Sequence, residues 1–196
     1  LSGKMVEQGL ARLRLLNRAA RVQYIERLYP PLFGQALRDL KLHVERETPL
    51  MIYKVDGMYG QPAPPLAAPV MPDGVAMELV TDQRGVELWW YAWRNAFYDV
   101  LTLGVEPLLV GRDLAALKLG QQADILVYRY GFPVGVARLS LQGETAHLLA
   151  AALLREVRSP TLLRPLLLLA LTTAINRGSK LIFAPGDSED DRRLLR

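Results

Sequence analysis

The eighteen residues from Gly57 to Gly74 constrain the fold more than any other stretch of the chain. They include Gly57, Gly60, Pro62, Pro64, Pro65, Pro69, Pro72 and Gly74. Proline lacks a backbone N–H and holds φ near about −65°, so such a run enters neither a helix interior nor a central strand. The expected form is an extended, partly polyproline connection that separates two parts or wraps the surface of one. The 196 residues therefore divide into an arm over 1–56, a linker over 57–74 and a folded domain over 75–196.

The two flanking parts differ in charge. Residues 1–46 carry nine positive and four negative side chains, whereas 75–196 carry fourteen and thirteen. The basicity of the chain, +4 overall, thus belongs to the arm. Val6, Leu10, Leu13, Leu16, Ala20 and Tyr24 recur at helical spacing and predict one amphipathic helix ended by Pro30 and Pro31. Phe33, Leu37, Leu40 and Val44 predict a second, closed by Pro49, with a short strand over Leu50–Val55.

Beyond the linker the order of elements is informative. Val75–Val80 reads as a strand and Val86–Leu103 as a helix stopped by Gly104, with Val86, Trp90, Trp93, Phe97 and Leu101 on its core face. Leu114–Leu119 reads as a short helix with Asp113 as N-cap. Asp124–Tyr130 and Val134–Leu141 are strands joined by Gly131, Phe132 and Pro133, a three-residue hairpin signal. Ala146–Val157 suits a helix by composition and a buried strand by position. Leu162–Arg177 is a helix ended by Gly178, Lys180–Ala184 a strand, and Ser188–Arg196 the start of a last helix. Antiparallel strands followed by a strand–helix–strand crossover make an α/β (α+β) domain: a mixed, largely antiparallel sheet flanked by helices.

Several chemistries are excluded or disfavoured. With no cysteine there is no disulfide, thiolate metal site or cysteine nucleophile. Two histidines, His43 and His147, argue against an imidazole-rich zinc site, and no metal is expected. The longest apolar run, Leu166–Ile175, has about half the length of a membrane span. The first twenty residues are too charged for a signal peptide, so a cytoplasmic protein is expected. Scarce asparagine with abundant arginine and leucine suggests a GC-rich or thermophilic bacterial source.

The stretch Leu126–Leu139, with its short turn before a hydrophobic–Gly–hydrophobic step, resembles the hairpin of the GNAT acyltransferase family. The likeness continues through Ala146–Arg158, Leu166, Leu167 and Ala174–Gly178 and covers about 75–196. It implies a central strand over 146–157, in preference to helix, then a coenzyme A loop and the helix after it. In the family that loop carries Gln/Arg-x-x-Gly-x-Gly/Ala, whose glycines let backbone N–H groups at a helix N-terminus approach a pyrophosphate. Here it reads Arg158, Ser159, Pro160, Thr161, Leu162, Leu163, with Thr161 and Leu163 where the glycines belong and Pro160 removing a donor. The family's general-acid tyrosine has no counterpart, because no tyrosine follows Tyr130.

Each candidate residue has a functional and a structural reading. Glu144 and His147, at the start of the central segment, read as a general base for an amine or as a turn carboxylate and a strand residue. Arg158, Ser159, Thr161 and Arg164 read as a binding site for an acyl-CoA or other acyl thioester, or as a cationic loop pairing with Glu156. Trp89 and Trp93, in a helix holding six aromatics, read as a substrate wall or as core. Arg12, Arg14, Arg18 and Arg21 read as a nucleic-acid surface or as the solvated face of an amphipathic helix. Asp187, Glu189, Asp190 and Asp191 fit a hard metal or a helix N-terminus. The function implied is an N-acyltransferase moving an acyl group from a thioester to an amine. The alternative is a non-catalytic scaffold that binds nucleic acid or protein through the arm, or dimerises through its apolar face.

Overall fold

The computed structural model describes residues 3–24, 30–57, 61, 63, 65–66, 68, 70–98 and 104–186. The helix expected over 188–196 and its acidic cluster lie outside these residues. The chain divides into two compact units, Leu1–Glu47 and Thr48–Arg196.

The first unit contains α1 (Gly3–Leu15) and α2 (Pro31–Asp39). Val6 and Leu10 of α1 pack on Phe33 and Leu37 of α2, so the apolar stripes of the two helices cover each other. Both helices end earlier than predicted. Asn17 adopts φ 52°, and Asn17 N donates to Arg14 O while Arg18 N donates to Leu13 O. Lys41, at φ 59°, repeats the pattern, with Lys41 N donating to Arg38 O and Leu42 N to Leu37 O. These are left-handed Schellman stops, usually made by glycine. Helical periodicity in the sequence runs on past both.

The second unit is a six-stranded sheet in the order β1-β6-β5-β4-β3-β2. Its strands are β1 (Leu50–Lys54), β2 (Val75–Leu79), β3 (Gln122–Arg129), β4 (Phe132–Gln142), β5 (Thr145–Leu153) and β6 (Leu181–Pro185). All neighbours are antiparallel except β5 and β6. The strand 50–54, assigned to the arm by sequence, lines β6 at the sheet edge. The segment 146–157 is a strand as far as Leu153 and then a single 3₁₀ turn, Arg155–Val157. Position in the sheet overrides its helical composition, because β5 lies between β4 and β6.

Three helices flank the sheet: α3 (Gln83–Tyr98), α4 (Pro107–Lys118) and α5 (Pro160–Asn176). Asp82 caps α3, its Oδ1 accepting from Gly85 N at 2.7 Å. Sequence began α4 at Leu114, whereas Pro107 starts it a full two turns earlier. Asp113 is therefore an interior helical residue, not a cap. On one face of the sheet, Leu162, Leu166, Ala170 and Ala174 of α5 pack on Ile125, Val127, Ala137 and Leu139. On the other, Val86, Trp89 and Ala92 of α3 with Val110 of α4 pack on Leu126, Val136 and Ala152. The buried stripe of α3 is thus rotated from the predicted one. Trp90 and Trp93 are half-buried and Phe97 is exposed.

Candidate functional site

The chemistry of the second unit follows from how β5 meets its neighbours. β5 and β6 pair through only three rungs, Thr145 with Leu181, Ala146 with Ile182 and His147 with Phe183. β5 then runs on to Leu153 bonded to β4 alone. Among the described residues its other edge, from Leu148 to Leu153, has no strand partner. A bulge sits at the start of this open edge. Arg138 pairs with Ala150 and Leu139 with Leu148, leaving Leu149 without a partner on β4.

His147 occupies the last closed rung. Its ring stacks on Phe183 with centroids 4.5 Å apart and planes at 18°. Burial of the imidazole lowers its pKa below the ordinary 6.5. The ring is therefore neutral at pH 7 and able to accept a proton.

At the far end of the open edge the chain turns through Arg155–Val157 into α5. Ser159 is the N-cap residue, but its side chain makes no capping bond. Its Oγ lies 2.9 Å from Thr161 Oγ1 instead. Leu162 N and Leu163 N both donate to Ser159 O, and Pro160 has no donor. The backbone groups left to meet an anion are therefore few, the N–H of Thr161 first among them. Arg155, Arg158 and Arg164 are exposed around this turn. Arg155 was not among the residues singled out by sequence.

The other predicted residues are placed elsewhere. Glu144 lies in the β4–β5 turn, at the opposite end of β5 from Ser159. Its backbone O accepts from Lys180 N at 2.7 Å, and its exposed carboxylate pairs with Lys180 Nζ. Eight residues of strand separate it from Leu153, so it is not brought to the loop. Trp89 is only 2 % exposed. Its Nε1 donates to Ala137 O at 2.9 Å, which makes it core and not substrate wall. Trp93 stacks at 6.3 Å on Trp89 and borders Phe97 and Tyr98. Arg12 and Arg14 lie on α1, but Arg18 and Arg21 follow the Asn17 stop, and Arg21 pairs with Glu45. The four arginines do not share a helical face. Among the described residues no group of three or more His, Asp or Glu is placed to hold a metal, and no helix is long and apolar enough to cross a membrane.

Sequence reasoning missed the most polar part of the core. Arg138 on β4 donates from Nε to Asp124 Oδ1 at 2.8 Å, and from Nη2 to Asp124 Oδ2 at 2.6 Å and Asp113 Oδ2 at 2.7 Å. Its guanidinium lies 3.8 Å over the Trp89 ring. Trp90 Nε1 and Arg112 complete the shell of Asp113, and Gln122 that of Asp124. Burial pushes the Asp124 carboxyl above the ordinary range, opposed by Arg138. A signal was available: Asp124 and Arg138 stand seven residues either side of Gly131, as cross-strand partners must.

No protein-family model matches the chain, and no curated protein is detectably similar to it. Solved structures do resemble it. A GCN5-related N-acetyltransferase from Kribbella flavida superposes with a TM-score of 0.58 at 19% identity, covering 84% of this chain and 59% of the other. One from Sphaerobacter thermophilus gives 0.56 at 20% identity, covering 80% and 48%. An aminoglycoside acetyltransferase from an uncultured soil metagenomic sample, in complex with sisomicin, gives 0.51 at 12% identity, covering 62% and 84%. The chain thus spans about three-fifths and about half of the first two. With a crossover from β5 through α5 to β6, a splay between those strands and these neighbours, the chain has a GNAT-like fold.

Proposed function

We propose that the chain transfers an acyl group from a coenzyme A-type thioester to an amine. The observation that supports this is the separation of β5 from β6 after His147, beside the Leu149 bulge. An open strand edge offers alternating N–H and C=O groups to an extended ligand carrying amides of its own. In this reading the acyl chain of the donor enters between the strands and its pyrophosphate lies toward α5. Thr161 N–H and the dipole of α5 supply part of the anion site. Arg158, with Arg155 and Arg164, supplies charge in place of glycine-loop donors.

The amine attacks the thioester carbonyl, forming a C–N bond as the carbonyl electrons move to oxygen. Unpaired backbone N–H groups beside Leu149 meet that oxyanion. Collapse breaks the C–S bond. His147, neutral at pH 7, takes the proton of the amine, and the departing thiolate is protonated in turn. Glu144 has no part in this reading, because its exposed carboxylate is paired with Lys180.

Isothermal titration with acetyl-CoA tests the reading. Saturable binding is expected, weakened at least tenfold in Arg158→Glu. His147→Gln should keep binding and lose transfer. Absence of heat and of competition at millimolar ligand would remove the proposal.

A further inference from the structure

A cavity of about 670 Å³ opens between α4 and the second half of β4, with Arg112, Asp113, Gln122, Arg138, Ser140 and Leu149 on its walls. It adjoins the reaction centre assigned above. Ser140 is the cross-strand partner of His147, and such partners carry their Cβ atoms about 5 Å apart on one face of a sheet. Leu149, the bulge residue, lines the cavity directly.

The groups facing this cavity have a definite polarity. Arg138, whose side chain is 9% exposed, has Nε and Nη2 fixed by two carboxylates. Among the described residues no group accepts from its Nη1. Among the described residues no buried side-chain nitrogen or oxygen lacks a partner, so Nη1 is not sealed in the core, and Arg138 lines this cavity. Arg112, at the mouth and 63% exposed, is held the same way, with Nε and Nη2 on Asp113 Oδ1 and Nη1 unused. Both oxygens of Asp113 are engaged by the two arginines and both oxygens of Asp124 by Arg138. The cavity therefore presents guanidinium donors and no uncommitted carboxylate. Ala116, Leu141 and Leu149 add apolar wall.

We propose that this cavity binds the acceptor, and that the acceptor is an amine carrying a carboxylate and an apolar body, an amino acid in chemical class. The carboxylate meets Nη1 of Arg138 and Arg112, where charge-assisted pairing to a pre-oriented fork is strongest. The amine is then directed toward His147. A polycationic acceptor finds two guanidinium groups and no free anion, an arrangement that opposes it. The acceptor role rests on the acyl-transfer reading; the preference for a carboxylate does not.

The experiment is calorimetric binding of L-leucine, L-leucinamide and spermidine to the full chain, without acyl donor, alongside a separate acetyl-CoA titration. L-Leucine is expected to bind about tenfold more tightly than L-leucinamide, the ratio of a charge-assisted to a neutral hydrogen bond. Spermidine should not compete. Arg112→Gln should reduce the ratio severalfold and Arg138→Lys should reduce it further, both variants being checked for folding by circular dichroism. Equal binding of acid and amide, binding of spermidine, no binding of L-leucine, or an unchanged ratio in Arg112→Gln would each overturn the proposal. Failure of acetyl-CoA alone to bind would remove acyl transfer and the acceptor role while leaving a carboxylate site.

Discussion

The two faces of the sheet solve the same problem with different materials. Against α5 the sheet presents Ile125, Val127, Ala137, Leu139 and Ala146, and α5 answers with Leu162, Leu166, Ala170 and Ala174. Against α3 and α4 the same strands present Leu126, Val136 and Ala152, but also Asp124 and Arg138. An apolar face needs only volume and shape. A face with a buried arginine needs two carboxylates, two indoles and a glutamine in register, because a charge removed from water must be fully paired. The polar face carries both the cavity and His147.

Breaking each face tests the contrast. Asp124→Ala leaves Arg138 buried with one of its two carboxylates gone, and should cost about 4 kcal/mol in a urea denaturation, the middle of the range for splitting a buried pair. Leu166→Ala on the opposite face removes a fully buried side chain and should cost about 3 kcal/mol by the same measurement, from lost transfer energy and a residual cavity. A cost for Asp124→Ala below that for Leu166→Ala would reverse the ranking of the two faces.

A smaller effect lies in the pH dependence of His147. Its folded pKa is lowered, so on acidification the unfolded chain takes the proton first. Its contribution to stability is complete above about pH 6.5 and is lost as the pH falls through the lowered folded value. His147→Gln should flatten that part of the profile when denaturation midpoints are compared between pH 7.5 and pH 5. The smallest effect is expected at the exposed end of β5. Glu144→Gln breaks a solvated pair with Lys180 and should leave the midpoint unchanged within error. A clear loss of stability there would give that turn a role that its exposure does not suggest.

Legibility followed the kind of signal each element carried. The hairpin between β3 and β4 was read to within two residues at each strand end, because Gly131 marks the turn and alternation marks the strands. The end of α5 was read correctly from Gly178, which takes φ 88°. The ends of α1 and α2 were missed, because Asn17 and Lys41 make the same left-handed stop without a glycine. His147 was singled out together with Glu144, but sequence adjacency does not separate two ends of a strand pairing. Trp89 was left between substrate wall and core, because the helical wheel set the buried stripe one residue off.

The sequence by itself determined the concentration of charge in the arm, the order of strands and helices in the second unit, and the absence of thiol chemistry. These are local properties: backbone restriction, periodicity and composition act between near neighbours in the chain. Tertiary structure alone decided where β5 parts from β6, which edge of β5 stays open, and how Asp113, Asp124 and Arg138 converge from a helix and two strands. Those features depend on register between distant segments, and register is fixed by packing of whole faces against each other.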